Sequence, residues 1–94
     1  MQIGSVRHKG LKRFIETGDR RGLLAGREKR LHAILDACRA AKDLKALGTL
    51  ATLNLHPLKG ERKGQWSVAV SGNRRLTFRE VDGQLFDLDL EDYH

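Results

Sequence analysis

The hydrophobic positions change their period part-way along the chain. In "HKGLKRFIETG" Leu11, Phe14 and Ile15 recur at i, i+3 and i+4 and Gly18 follows as a stop, so the spacing predicts a helix. A short opening strand is expected before it in "IGSV", and "RRGLLAG" reads as a glycine-punctuated connection. From about Ala25 to Ala41, Leu31, Ile34, Leu35 and Cys38 fall on one helical face, while Arg27, Arg30, Asp36 and Arg39 lie mostly elsewhere. That predicts a second helix. Asp43 can cap one further turn, "LKAL", closed by Gly48.

Beyond Gly48 the period drops to two. "TLNLH" alternates up to Pro57, which favours an extended His56 and removes a backbone donor, so a strand should end there. "LKGERKG" is a basic loop bracketed by glycines. "QWSVAVS" sets Trp66, Val68 and Val70 on one face, "GN" turns, and "RRLTFRE" points Leu76 and Phe78 inward with Arg75, Thr77 and Arg79 opposite. A two-residue Asp82-Gly83 turn would face Phe78 with Asp87. A three-residue Val81-Asp82-Gly83 loop instead pairs Phe78 with Phe86, Leu76 with Leu88 and Arg75 with Asp89, so the longer loop is expected. The chain therefore reads as an α+β fold, β-α-α followed by an antiparallel sheet of about four strands, with helices on one face. Its 94 residues suit a single domain, 1–94.

Composition narrows the setting. Cys38 is the only cysteine, so no internal disulfide or cysteine metal cluster forms, and on its helical face it reads as a core residue. Charges interrupt the first twenty residues, which does not suit a signal peptide. "ALGTLATLNL" falls well short of the ~20 residues that cross a bilayer. A soluble protein of the reducing cytoplasm, with no membrane partner, is expected.

The formal charge of +6 points to a polyanionic partner, and its distribution is blockwise. Residues 1–30 hold nine Lys and Arg against three Asp and Glu; residues 55–79 hold six against one; residues 80–94 hold six acids and no Lys or Arg. The plainer reading of the basic blocks is that they keep a small protein soluble.

Cleavage of RNA through its own 2′-hydroxyl needs a base, an acid for the leaving 5′-oxygen and fixed cations on the phosphate; histidine, lysine and arginine can supply all three. Two stretches carry such groups: "LHPLKG", with His56 and Lys59, and the final "DYH", Asp92, Tyr93 and His94. Strand alternation puts Asp92 and His94 on the face of Leu88 and Leu90, with Tyr93 opposite. Asn73, Arg74 and Arg75 sit at and beside a hairpin tip, so three clusters are expected to converge at one end of the sheet. Each has a structural alternative. A terminal Asp-Tyr-His can be a solvated tail, His56 a strand-end residue, Lys59, Arg62 and Lys63 a wet loop, Trp66 core, and Arg75 the partner of a strand acid.

"RHKGLKRF…ETG", "LHPLKGERKGQWSVAVSGNRRLTF" and "DGQLFDLDLEDYH" together resemble the HigB-type toxins, the plasmid-maintenance killer branch of the RelE superfamily. The likeness runs nearly end to end and is loosest over residues 19–54. It implies a RelE-like fold and a ribosome-dependent endoribonuclease that cuts messenger RNA in the A site, beside 16S ribosomal RNA, without a metal or other cofactor. It also implies silencing by a HigA-like helix-turn-helix antitoxin, through which alone operator DNA would be met. By the same resemblance His56, Asp92, Tyr93 and His94 form the catalytic set, Lys59 and Arg75 hold phosphate with Arg62, Lys63 and Arg74 nearby, and Asn73 lies near the base that is read. Arg74 departs from the family, whose members commonly carry Trp there, and this bears on codon preference. Either His56 or His94 could be the base. The alternatives are a non-catalytic RNA- or ribosome-binding module and a corepressor acting with its antitoxin.

Overall fold

A computed structural model describes residues 1–23 and 26–92. The elements follow in the order β1 (Gln2–Ile3), α1 (Lys9–Thr17), α2 (Glu28–Ala40), α3 (Leu44–Gly48), β2 (His56–Pro57), β3 (Gln65–Ala69), β4 (Arg74–Val81) and β5 (Gln84–Asp92). The sheet runs β1-β5-β4-β3-β2, antiparallel from β2 to β5, with β1 parallel to β5. This is the expected α+β architecture: the opening strand is β1, which joins the sheet beside β5, and the further turn capped by Asp43 is the short helix α3.

Local chemistry accounts for the helices. His8 caps α1, its Nδ1 accepting from the Leu11 amide at 3.0 Å, and Gly18 ends it in the left-handed conformation. Asp43 caps α3 through the Ala46 amide at 2.8 Å. The expected start of α2 at Ala25 lies outside the described residues, and Gly48 is the last residue of α3 rather than its stop, Thr49 taking the cap. Leu31, Ile34, Leu35 and Cys38 of α2 are buried, as their spacing predicts, with Leu11 and Leu47 against Val68, Leu76, Phe78, Leu85, Leu88 and Leu90 of the sheet.

The stretch before Pro57 departs from expectation. Ala51–Leu53 forms a 3₁₀ turn, and Asn54 closes it in the left-handed region at φ 49°, so only His56 and Pro57 pair as strand. The alternation of "TLNLH" arises because Leu53 of the turn is buried in the core while Leu55 packs against it from the edge.

The β4–β5 hairpin corrects the longer-loop expectation. The turn is the two-residue Asp82-Gly83, both at positive φ (50° and 80°), as a type I′ turn requires. Arg79 pairs with Phe86 next to the turn, but farther on Thr77 pairs with Asp89, Leu76 with Leu90 and Arg75 with Glu91. Asp87 and Leu88 therefore face the single Phe78 as a β-bulge, with Asp87 at φ 57°. Without that extra residue Leu88 and Leu90 would fall on the face of Thr77 and Arg75. The bulge returns both to the core. It is pinned from outside the hairpin: Ser5 Oγ accepts from the Asp87 amide at 2.8 Å, and the Arg7 amide donates to Leu88 O at 2.7 Å.

Candidate active site

The register assigns each strand side chain to a face. Directly paired residues share a face, so His56, Ser67, Thr77 and Asp89 form one cross-strand row, and Ala69, Arg75 and Glu91 the next. The opposite face carries Trp66 with Phe78, and Val68 with Leu76 and Leu90, against the helices. The first face is dominated by polar groups, and of the nominated residues it carries His56 and Arg75, with Arg62 reaching over it. Ser67 and Thr77 are fully buried at its floor.

His56 is half-buried in this row, its Nδ1 2.9 Å from the Asn54 carbonyl. A carbonyl can only accept, so Nδ1 is the donor, and of the two neutral tautomers the one that keeps this contact leaves the lone pair on Nε2. The left-handed Asn54 supplies that contact, and asparagine tolerates this conformation better than most residues.

Glu91 is the hub of the face, and its role was missed in the sequence. Arg62 forks onto its carboxylate, Nη1 to Oε1 at 2.6 Å and Nη2 to Oε2 at 2.5 Å, while Arg62 Nε donates to Gln65 Oε1 at 2.8 Å. Thr77 Oγ1 also donates to Glu91 Oε2, and Arg75 Nη2 lies 3.7 Å from Oε1. The hydrogen bonds from Arg62 hold the Glu91 carboxyl down at about 2, against the opposing effect of burial. Arg75 has a strand acid opposite it, as expected, but the acid is Glu91 and not Asp89. The cause is the bulge, which shifts every later pair by one so that Glu91 meets Arg75.

The remaining nominated residues are dispersed. Lys59 and Lys63 flank the 3₁₀ turn Gly60–Arg62 and are exposed. Asn73 is exposed at the β3–β4 tip, where its Oδ1 accepts from Ser71 Oγ at 3.2 Å. Asp92 shares the helix-side face with Leu90, its Oδ1 3.6 Å from Arg74 Nη1. Tyr93 and His94 lie outside the described residues. Among the described residues the nominated groups are not gathered at one end of the sheet. The loop of Lys59 leaves from the Gln65 end, whereas Asn73, Arg74 and Asp92 occupy the other. Among the described residues Arg62 links the two, reaching over the polar face to Glu91. A surface cavity of about 720 Å³ between β1 and α1 contains none of the nominated residues.

A family model described as the RelE-like toxin of type II toxin-antitoxin system HigB matches residues 4–94. The protein "Endoribonuclease HigB" of Proteus vulgaris is 40% identical over 92 residues, covering 98% of this chain and 99% of that one. Among solved structures, a YoeB/ParE toxin from Agrobacterium tumefaciens superposes with a TM-score of 0.61 at 17% identity, covering all of both chains. YafQ from E. coli BL21(DE3) does so with a TM-score of 0.56 at 18% identity, over 97% of this chain and 93% of its own.

Proposed function

The chain belongs to the HigB-like, RelE-like toxins of type II toxin-antitoxin systems, and from that membership we propose that it is an endoribonuclease that halts translation by cutting messenger RNA in the ribosomal A site. The observation that carries this reading is the 40% identity to an endoribonuclease over 98% of the chain, joined to a family match over residues 4–94 that takes in His56, Asp92, Tyr93 and His94. The basic surface supplies the attraction to RNA.

In the proposed reaction His56 Nε2 takes the proton of the 2′-hydroxyl, and the freed oxygen attacks the adjacent phosphorus. The bond from phosphorus to the 5′-oxygen breaks, that oxygen receives a proton from Tyr93 or His94 of the terminal group, with Asp92 anchoring that end of the chain through Arg74, and the products are a 2′,3′-cyclic phosphate and a 5′-hydroxyl. Asn54 supports the assignment of the base, because its carbonyl leaves His56 one free nitrogen and that nitrogen is an acceptor. Lys59 and Arg75 stabilise the charge that builds on the phosphate, Lys63 attracts the strand, and Asn73 contacts the base that is read. Arg74 pairs with Asp92 on the helix side, so its part is to place Asp92 and not to stack on RNA.

A type II toxin has an antitoxin partner; a HigA-like helix-turn-helix protein is the one proposed, with operator DNA met only through it. Among the described residues no helix is long and apolar enough to cross a membrane, and the cytoplasm, where translating ribosomes are, is the proposed location. Induction in cells without antitoxin tests the reading. Growth should arrest and messenger RNA should be cut within codons, with relief by His94→Ala; growth unaffected by the wild-type chain contradicts it.

A further inference from the structure

We infer that Arg62 and Glu91 form a clasp that fixes the basic loop over the polar face and sets the end of β5, making both of them positioning residues for RNA cleavage. The inference rests on the endoribonuclease reading, since it concerns how that site is assembled. Within the basic loop Lys59 and Lys63 are exposed, but Arg62 turns inward. All three of its nitrogens are engaged, Nε with Gln65 and both terminal nitrogens with Glu91. A guanidinium held in this way is a strut and not a spare phosphate ligand.

The contact bridges two regions that the strands keep apart. The loop departs from the Gln65 end of β3, and Glu91 stands near the other end of the sheet, opposite Arg75. Thr77 adds a third bond from β4. Glu91 is followed directly by Asp92, which is paired to Arg74 on the other face. The end of β5 is thus held from both sides, immediately before Tyr93 and His94. With its carboxyl held at about 2, well below its ordinary value, Glu91 is ionised near neutrality, so the clasp is not a pH switch there.

The test is a double-mutant cycle of Arg62→Gln, Glu91→Gln and the pair, read by single-turnover cutting of messenger RNA on programmed ribosomes below the melting temperature of every variant. Affinity is measured separately with uncleavable RNA carrying a 2′-deoxy scissile nucleotide, across a salt series. Each single substitution should slow cutting at least tenfold per folded molecule, and the double should be no slower than the worse single. Affinity and its salt slope should stay near wild type. Arg62→Lys, which keeps the charge but not the fork, should be as slow as Arg62→Gln. Three outcomes overturn the clasp: variants that melt earlier yet cut at the wild-type rate, additive losses, or an Arg62→Gln salt slope shallower by about 0.7, the mark of one lost phosphate contact. If the wild-type chain itself cuts nothing, the enzymatic reading has failed and not merely the clasp.

Discussion

His56 and Asp92 stand on opposite faces of one sheet. His56 shares its row with Ser67, Thr77 and Asp89, whereas Asp92 pairs with Arg74 on the side of Leu90. Three strand spacings of about 4.8 Å separate His56 from Asp89, roughly 14 Å. The group that orients His56 is therefore the Asn54 carbonyl and not Asp92. The nitrogen-15 shifts of neutral His56 should report a proton on Nδ1, equally in the wild type and in Asp92→Asn. A proton on Nε2, or a tautomer that changes with Asp92→Asn, contradicts this arrangement.

The ionisation of Glu91 should be visible in acid unfolding. Its folded-state carboxyl is depressed from 4.5 to about 2 by Arg62 and Thr77. The folded form therefore binds fewer protons than the unfolded one. Its contribution is complete above the ordinary value and is lost as pH falls from about 4.5 towards 2. The gap in melting temperature between wild type and Glu91→Gln should be constant near neutrality and close over that window. Asp19, held at about 2 by Arg21 on the surface, titrates alike in both proteins and cancels. A gap that does not change with pH contradicts the ion pair.

The bulge makes its own demand on sequence. Asp87 sits at φ 57°, where a β-branched side chain is strained, while its pair with Arg79 at 3.5 Å is half exposed and contributes little. Asp87→Asn should leave stability within about 0.5 kcal/mol, and Asp87→Val should cost about 1–2 kcal/mol or more in urea unfolding. Equal stability of the two would show that the left-handed conformation is not required.

These features mark where the sequence was legible. The helices and the inward sets Leu31, Ile34, Leu35, Cys38 and Leu76, Phe78 follow from periodicity alone, because burial of one face is what periodicity encodes. The β4–β5 register does not, because it depends on a bulge held by Ser5 and Arg7, more than 80 residues away in sequence. Reading "LFDLDL" as unbroken alternation required the longer turn and gave Arg75 the wrong acid. The site was legible in part. The residue types in "LHPLKG" and "DYH" suggested acid–base chemistry, but the hub at Glu91 and the inward turn of Arg62 are tertiary facts. The Asn54 contact was hidden for a similar reason, since an alternating pattern masked a left-handed turn.

The central claim is that RNA is cut by its own 2′-hydroxyl, with His56 taking the proton. Single-turnover cutting should be measured on programmed ribosomes using messages that differ only in a 2′-deoxy substitution at the scissile nucleotide. Cutting should vanish with the deoxy message, the normal message should yield a 2′,3′-cyclic phosphate, and His56→Ala should slow its cutting by about 10²–10⁴-fold while binding persists. Undiminished cutting of the deoxy message, or a wild-type rate from His56→Ala, would contradict the account.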